Sequence, residues 1–335
     1  MEEEIIAFYF ILKKRENEAR NVRRRILASL RDTEDPFLLQ EEIFSRFLRF
    51  PKSLCWDLIQ ELKPHDNYTR KSRIPLELRF ISVLYFLSNG SYQSCIGNSH
   101  FAAMSQPSVS RNIKQICRMV VEHKHVEISF PNSADHYNSI KRGFHNKFAI
   151  KGVIGAIDCT HVAIISPPSS TAGVVPHEYM NRKGYCSINV EAICDEELIF
   201  RNVKWLLGDS GYPLEPWLLT PIPSPSSANE ELFNTVHIKA RNTIERAFGV
   251  LKSRFRCLSK ERVLKYTHTN AAFIIYTCAI FHNILQKRRI FLSEETMLPE
   301  DSPPDGVGMN TPIQSTEHYS EGRRARQSCL NALIT

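Results

Sequence analysis

The apolar segments between residues 153 and 209 limit the folds open to this chain, because β-strand patterns cluster there and helical patterns flank them. Residues 153–165 are rich in β-branched side chains, residues 188–192 alternate as a strand does, and residues 198–203 can return as a hairpin partner. The apolar segment WLLGD, which ends at Asp209, is a further strand. Two helices follow, with strong apolar periodicity over residues 244–258 and 271–289. The pattern predicts a sheet packed against helices over residues 149–290.

Three carboxylates occupy distinctive positions in this region. Asp158 ends the apolar run VIGAID, Asp209 follows a strand, and Glu245 lies beside the apolar stripe of its helix. Each also has an ordinary interpretation. Asp158 can cap the end of a strand, and Asp209 can begin a turn. Glu245 can be an acid in the first turn of its helix, where the helix dipole favours negative charge. Together they can hold divalent cations, since Mg²⁺ prefers oxygen ligands and two ions can assist phosphodiester cleavage.

Basic residues accompany these acids. Residues 236–265 contain nine Lys or Arg against two acids. Several side chains near the carboxylate motifs can contact nucleic-acid phosphates. For the Arg and Lys of NRKGY, simple exposure to water is an equally good interpretation. For His161, a hydrogen bond near its own strand is the favoured interpretation. The candidates in this region are His161, Arg182, Lys183, Arg246, Lys252 and Arg254.

The N-terminal half reads as helical. Residues 1–65 form a basic helical region interrupted by Pro36, Pro51 and Pro64, and residues 66–148 form a second helical region. In the latter, a helix capped at Ser105 presents small polar and basic residues, including Arg111 and Lys114. This pattern suits the recognition helix of a helix-turn-helix and equally an ordinary amphipathic helix.

Composition narrows the class of protein further. The net charge of +7 over 335 residues favours phosphate-bearing partners. Nine cysteines without a CxxC pair indicate reduced, intracellular thiols, and no segment is long enough to predict a membrane span. Residues 291–335 are Pro- and acid-rich around DSPPDGVG, which predicts a disordered tail.

Four ordered motifs carry a family resemblance: GAIDCTHVAI, NRKGYCSINVEAICD, LLGDSGYPLEPWLLTP and IERAFGVLKSRFRCL. They closely resemble the Harbinger transposase-derived nucleases of the PIF/Harbinger superfamily, over roughly residues 40–290. The resemblance implies an RNase H-like fold and a DDE site that binds Mg²⁺ or Mn²⁺, with Asp158, Asp209 and Glu245 as the catalytic acids. It also implies DNA as substrate, a Myb-like DNA-binding partner, and a location in nucleus and cytoplasm.

The chain departs from the family pattern before Asp209. Family members carry a segment resembling WPGS-HDS between the ICD hairpin and the LLGD strand, whereas here Val203 is followed by Lys204, Trp205 and then Leu206. Those two intervening residues reach about 10 Å, less than the three strand spacings of about 14 Å that the connection must cross. We therefore expect residues 198–204 to be frayed or shortened, the Asp209 strand to keep its place, and an exposed edge to remain near Val190.

Two functions are compatible with these observations. The first is a metal-dependent nuclease that hydrolyses DNA phosphodiester bonds, favoured by the three intact acids. The alternative is a catalytically impaired DNA-binding or partner-binding protein with a decayed transposase domain, favoured by the missing segment.

Overall fold

The computed structural model describes residues 2–33, 35–66, 74–99, 102–169, 175–201, 206–292 and 316–334. The chain divides into two compact units, Met1–His123 and Lys124–Thr335. Within the described residues, no helix is both long and apolar enough to cross a membrane.

The first unit is helical, as predicted. Its helices are α1 (Glu2–Thr33), α2 (Glu41–Leu48), α3 (Lys52–Leu62), α4 (Leu76–Asn89), α5 (Gln93–Gly97) and α6 (Gln106–Lys124). Proline and glycine set several boundaries: Pro36 begins a short 3-10 turn, Pro51 precedes α3, and Gly90 ends α4 with a left-handed φ of 62°.

Buried polar contacts join the two regions that we predicted to be separate. The buried Arg79 of α4 donates to Asp66 Oδ1 at 3.1 Å, after α3, and to Gln115 Oε1 of α6 at 3.3 Å. Ser88 of α4 donates to the Leu48 carbonyl of α2 at 2.6 Å. The division at residue 65 was therefore wrong, because α2 to α6 share one core.

The second unit is built on a five-stranded mixed sheet. Its strands are β1 (Gly155–Ala163), β2 (Ser187–Cys194), β3 (Phe200–Arg201), β4 (Leu206–Leu207) and β5 (Leu218–Leu219), arranged in the order β3-β2-β1-β4-β5. The pairs β1–β2 and β2–β3 are antiparallel, whereas β1–β4 and β4–β5 are parallel. This is the RNase H-like topology that the resemblance implied.

Helices α7 (Ala134–Phe148), α8 (Ala228–Arg254), α9 (His268–Lys287) and α10 (Thr316–Ile334) complete this unit. Ile140 and Phe144 of α7 pack in one apolar cluster with Leu206 and Leu207 of β4. Hence the predicted boundary at residue 148 was also wrong: α7 belongs to the sheet unit because its apolar face is buried there.

The chain turns between β2 and β3 around a buried aspartate. Asp195 Oδ1 accepts the amide hydrogens of Glu197 and Ile199, both at 3.0 Å, and its Oδ2 accepts from Arg201 Nε at 2.8 Å. Leu198 adopts a left-handed φ of 64° in this turn. The predicted hairpin is confirmed, with its turn centred on these residues.

β3 is described only over Phe200–Arg201. It pairs with β2 only at Ile193 and Cys194, and residues 202–205 lie outside the described residues. Within the described part of the chain, no strand pairs with the outer edge of β2 over residues 187–192, which includes Val190. Continuing this register sets residues 202–205 opposite residues 192–189, so the frayed segment over residues 198–204 and the exposed edge near Val190 stay predictions.

Helix α9 holds this short strand from the side. Asn283 accepts the Phe200 amide hydrogen and donates to the Phe200 carbonyl, each at 2.8 Å. His282 donates from Nε2 to the Leu198 carbonyl at 2.8 Å, and burial lowers the pKa of this histidine to about 3, so its ring is neutral. Side chains of α9 thus satisfy backbone groups that a neighbouring strand normally pairs.

The C-terminal tail contains an ordered helix, contrary to the prediction of disorder for residues 291–335. Leu330 of α10 is buried, and Arg326 donates to the carbonyls of Thr220 and Pro221 at 3.3 and 3.2 Å. The acid- and Pro-rich stretch that motivated the prediction, residues 293–315, lies outside the described residues.

Candidate metal centre and nucleic-acid interface

The parallel pairing of β1 with β4 positions the first two acids. Gly155 is opposite Leu206 and Ala156 is opposite Leu207. Continuing that register by two residues brings Asp158 level with Asp209. Asp158 lies inside β1 rather than at its end, but β4 stops before this point, so the two carboxylates lie at the edge where β4 gives way to a loop.

Asp158 is half-buried and strongly influenced by its neighbours. Its Oδ1 accepts the Cys159 amide hydrogen at 2.8 Å, and its Oδ2 accepts from Arg241 Nη1 at 3.1 Å. Burial raises the pKa of Asp158, and the negative charges of Asp209 and Glu245 raise it further, while the two hydrogen-bond donors oppose the rise. The three predicted acids therefore share one electrostatic environment.

Glu245 reaches this environment from α8. Its apolar neighbours form the buried stripe that the sequence predicted, which fixes the rotation of the helix over the sheet; they are Ile244, Ala247, Phe248 and Leu251. Glu245 Oε1 accepts a hydrogen bond from Arg241 Nη2, one helical turn earlier. With its amide oriented to satisfy both atoms, Asn242 donates to Glu245 Oε2 at 3.2 Å.

Asp209 is held by the loop that follows β4. Its Oδ1 accepts the Gly211 amide hydrogen at 2.9 Å. Asp209 therefore also begins a local turn, which is the ordinary interpretation of an aspartate in this sequence. The turn and the proximity to Asp158 are compatible, because one carboxylate has two oxygens.

The carboxylates do not converge on a single point. Among the described residues, no three His, Cys, Asp or Glu side chains lie close enough together to hold a metal ion. The prediction that all three acids lie within metal-bridging reach is therefore wrong for this structure. The Arg241 guanidinium lies between two of the acids, Asp158 and Glu245, and bonds to both. The donor chemistry still suits a hard divalent cation, because all three groups offer carboxylate oxygens.

Tyr212 is a residue of this site that sequence reasoning missed. Its hydroxyl donates to Glu191 Oε1 of β2 at 3.2 Å and lies 3.4 Å from Cys159 Sγ of β1. The Tyr212 ring packs against Gly208, where an added Cβ would lie 3.1 Å from the ring. Tyr212 thus ties the Asp209 loop across β1 to β2. A tyrosine three residues after the acid, in GDSGYP, was the available signal.

A group of basic residues gathers beside the acids. His161 Nδ1 lies 3.0 Å from Ser187 Oγ, which confirms the local hydrogen bond favoured for it. Burial lowers the pKa of His161, and the positive charges of Arg182, Lys252 and Lys183 lower it further. Arg182 and Lys183 are exposed at the tip of a turn that Asn181 organises by accepting the Lys183 amide hydrogen at 2.8 Å. Four of the predicted phosphate contacts therefore lie together.

The remaining candidates divide between surface and core. Arg246 is exposed on α8, and Arg111 and Lys114 are exposed on α6 in the first unit, opposite that helix's buried apolar face. Arg254 is 1% exposed, and its Nη2 donates to the Ile290 carbonyl at 2.6 Å. The prediction that Arg254 contacts nucleic acid was wrong, because the core surrounds it.

Comparison with known proteins agrees with this geometry. The model of the DDE superfamily endonuclease family matches residues 197–283, a range that contains Asp209 and Glu245. The mouse protein named "Putative nuclease HARBI1" is 31% identical over 311 residues, covering 82% of this chain and 87% of the mouse protein. Its human counterpart is 29% identical over 310 residues, with the same coverage. An Arabidopsis thaliana protein named "Protein ALP1-like" is 24% identical over 283 residues, covering 71% of this chain and 66% of its own length.

No solved structure matches the chain significantly. The RNase H-like sheet, the acids at the β1–β4 edge and the extent of similarity lead to one conclusion: the chain belongs to the Harbinger transposase-derived nuclease family.

Proposed function

We propose that this protein hydrolyses phosphodiester bonds of DNA in a reaction that depends on Mg²⁺ or Mn²⁺. The observation that carries the proposal is the register of β1 and β4, which sets Asp209 level with Asp158 while α8 brings Glu245 to the same edge. The names of the relatives, which describe nucleases, support the same reaction class.

Each group of side chains has a distinct role in this proposal. Asp158, Asp209 and Glu245 hold the cations, which when bound activate the attacking water and stabilise the leaving oxygen. His161, Arg182, Lys183 and Lys252 bind the phosphate backbone beside the acids, and the exposed Arg246 extends this surface along α8. Tyr212 keeps the Asp209 loop next to β1.

The family resemblance supports a proposal about the wider setting. We propose a Myb-like DNA-binding protein as a partner and the nucleus and cytoplasm as locations. Arg111 and Lys114 on α6 are candidates for a separate contact with DNA, because a helix with an exposed basic face suits the major groove.

Nicking of supercoiled plasmid DNA tests the proposal. We expect the wild-type chain to nick the plasmid with Mg²⁺ or Mn²⁺, to lose activity with a chelator, and to be less active than a relative that keeps the missing segment. The Asp209→Asn variant should be inactive while retaining its fold. Activity that is equal in wild-type and Asp209→Asn protein would exclude the proposed site.

The second candidate is a DNA-binding or partner-binding protein without catalysis. The missing crossover favours it, because the connection into the strand that leads to Asp209 is short. Duplex binding that falls steeply with salt, combined with no nicking under any divalent cation, would select this candidate.

A further inference from the structure

Arg241 is the least exposed member of the charged cluster at the sheet edge. Its side chain is 11% exposed, compared with 19% for Asp158 and 33% for Glu245. It lies one helical turn after His237, whose buried ring is neutral because its pKa is lowered to about 4, and one turn before Glu245. Arg241 is therefore a buried positive charge whose partners at this edge are the two acids.

Hydrogen bonding assigns each oxygen of these two acids to one donor. Asp158 Oδ1 accepts the Cys159 amide hydrogen, and Glu245 Oε2 faces the Asn242 amide. The other oxygens, Asp158 Oδ2 and Glu245 Oε1, accept from the two terminal nitrogens of Arg241. The oxygens most available to a cation are therefore those that the guanidinium holds.

A guanidinium and a metal ion compete for these oxygens, because both are positive and both draw on the carboxylate lone pairs. The guanidinium offers only N–H donors and one delocalised positive charge, so it satisfies carboxylates but cannot coordinate an ion. A divalent cation needs the same lone pairs at a shorter distance. Binding of one therefore weakens binding of the other at Asp158 Oδ2 and Glu245 Oε1.

We propose that Arg241 is an internal counter-cation that neutralises Asp158 and Glu245 in the ion-free protein and must be displaced when a divalent cation binds. The inference rests on the proposed metal site. It explains why the acids stay apart here, and it makes Arg241 a positioning residue that sets the affinity for the ion. Because the coupling between two competing ligands is reciprocal, removing Arg241 must tighten metal binding.

Calorimetric titration with MnCl₂ tests this directly in the full-length protein. We expect Arg241→Gln to bind Mn²⁺ between about 5-fold and 150-fold more tightly than wild type, the usual range of such coupling. Lys239→Gln is the matched control, since it removes an exposed positive charge from the same helix two residues away. It should bind Mn²⁺ as wild type does.

If Arg241→Gln binds Mn²⁺ as tightly as wild type or more weakly, the inference is overturned. Weaker binding would mean that Arg241 holds the two acids in position for the ion. Asp158→Asn separates this from failure of the site itself. Suppose that wild type binds Mn²⁺, that Asp158→Asn does not, and that Arg241→Gln has the same affinity as wild type. The metal site would then be supported, and the counter-cation role of Arg241 would be excluded. If no variant binds Mn²⁺, both fall.

A second measurement needs no variant, should Arg241→Gln fold poorly. In ¹⁵N-arginine-labelled wild-type protein, we expect a guanidinium with restricted rotation that becomes mobile as Mg²⁺ is added. A guanidinium that stays restricted while calorimetry shows Mg²⁺ bound would overturn the inference.

Discussion

At the scale of single residues, buried charge is used in two ways in the sheet unit. Arg241 and Arg254 are both largely buried, yet the first is bonded to carboxylates at the sheet edge and the second to a backbone carbonyl in the core. From the sequence, Arg254 had the same basic neighbourhood as Arg246. Only the rotation of α8, set by its apolar stripe, separates the exposed arginine from the buried one.

Glu196 provides a residue-scale prediction for pH dependence. Its carboxyl packs into the space left by Gly143 of α7, and burial, with the charges of Asp195 and Glu197, raises the pKa of Glu196 to about 7. The folded protein thus binds a proton that the unfolded chain releases near the ordinary value of 4.5. Stability should fall as the pH rises from about 4.5 to 7 and then stay low.

Glu196→Gln should therefore stabilise the protein at pH 8 and leave it unchanged at pH 4.5. We expect a gain of about 1–2 kcal/mol at pH 8, discounted because the carboxyl is partly exposed. Urea unfolding at both pH values measures it, with the exposed Glu261→Gln, whose charge does not act on Glu196, as control. A gain that is the same at both pH values would show that protonation is not its cause.

At the scale of elements, α9 and α10 hold the chain on either side of β4. Asn283 of α9 satisfies both backbone groups of Phe200, and α10 covers the loop between β4 and β5. The sequence predicted α9 from its periodicity, but it gave no sign that α9 would hold β3. The docking of α10 was missed because the composition averaged over the tail concealed a helix of 19 residues.

Asn283→Leu tests the support of β3. The substitution leaves a buried N–H and a buried carbonyl of Phe200 without partners, so we expect a loss of about 2–4 kcal/mol of unfolding free energy. Asn138→Leu on the exposed face of α7 is the control and should change stability little. Similar denaturation midpoints for both variants would mean that β3 does not depend on α9.

Alanine is expected to change stability in opposite directions at two helical glycines, Gly249 and Gly322. A Cβ added at Gly322 of α10 would lie 3.0 Å from Leu214 Cγ and 3.1 Å from the Glu215 backbone, whereas a Cβ at Gly249 of α8 meets nothing within 4 Å. Alanine in a helix normally stabilises by about 0.5–1 kcal/mol relative to glycine. Gly249→Ala should raise the melting temperature and Gly322→Ala should lower it. A rise in both would show that α10 is not packed against residues 214–215.

At the scale of the whole molecule, strand periodicity and the acid motifs were enough to predict the sheet unit, whereas the boundaries of the units were not. Short-range patterns located α6, β2 and the β2–β3 hairpin. The packing of α7 on β4 depends on contacts distant in sequence. Arg241 was missed for a related reason: it lies four residues before Glu245, but its bond to Asp158 exists only in the folded chain.

The central claim is that Asp158, Asp209 and Glu245 form a site for divalent cations. The most direct measurement is the melting temperature of wild-type and Asp209→Asn protein with increasing Mn²⁺, because a ligand that binds only the native state raises its stability. We predict a concentration-dependent rise for wild type that Asp209→Asn loses. No rise in wild type, or an equal rise in both proteins, would contradict the claim.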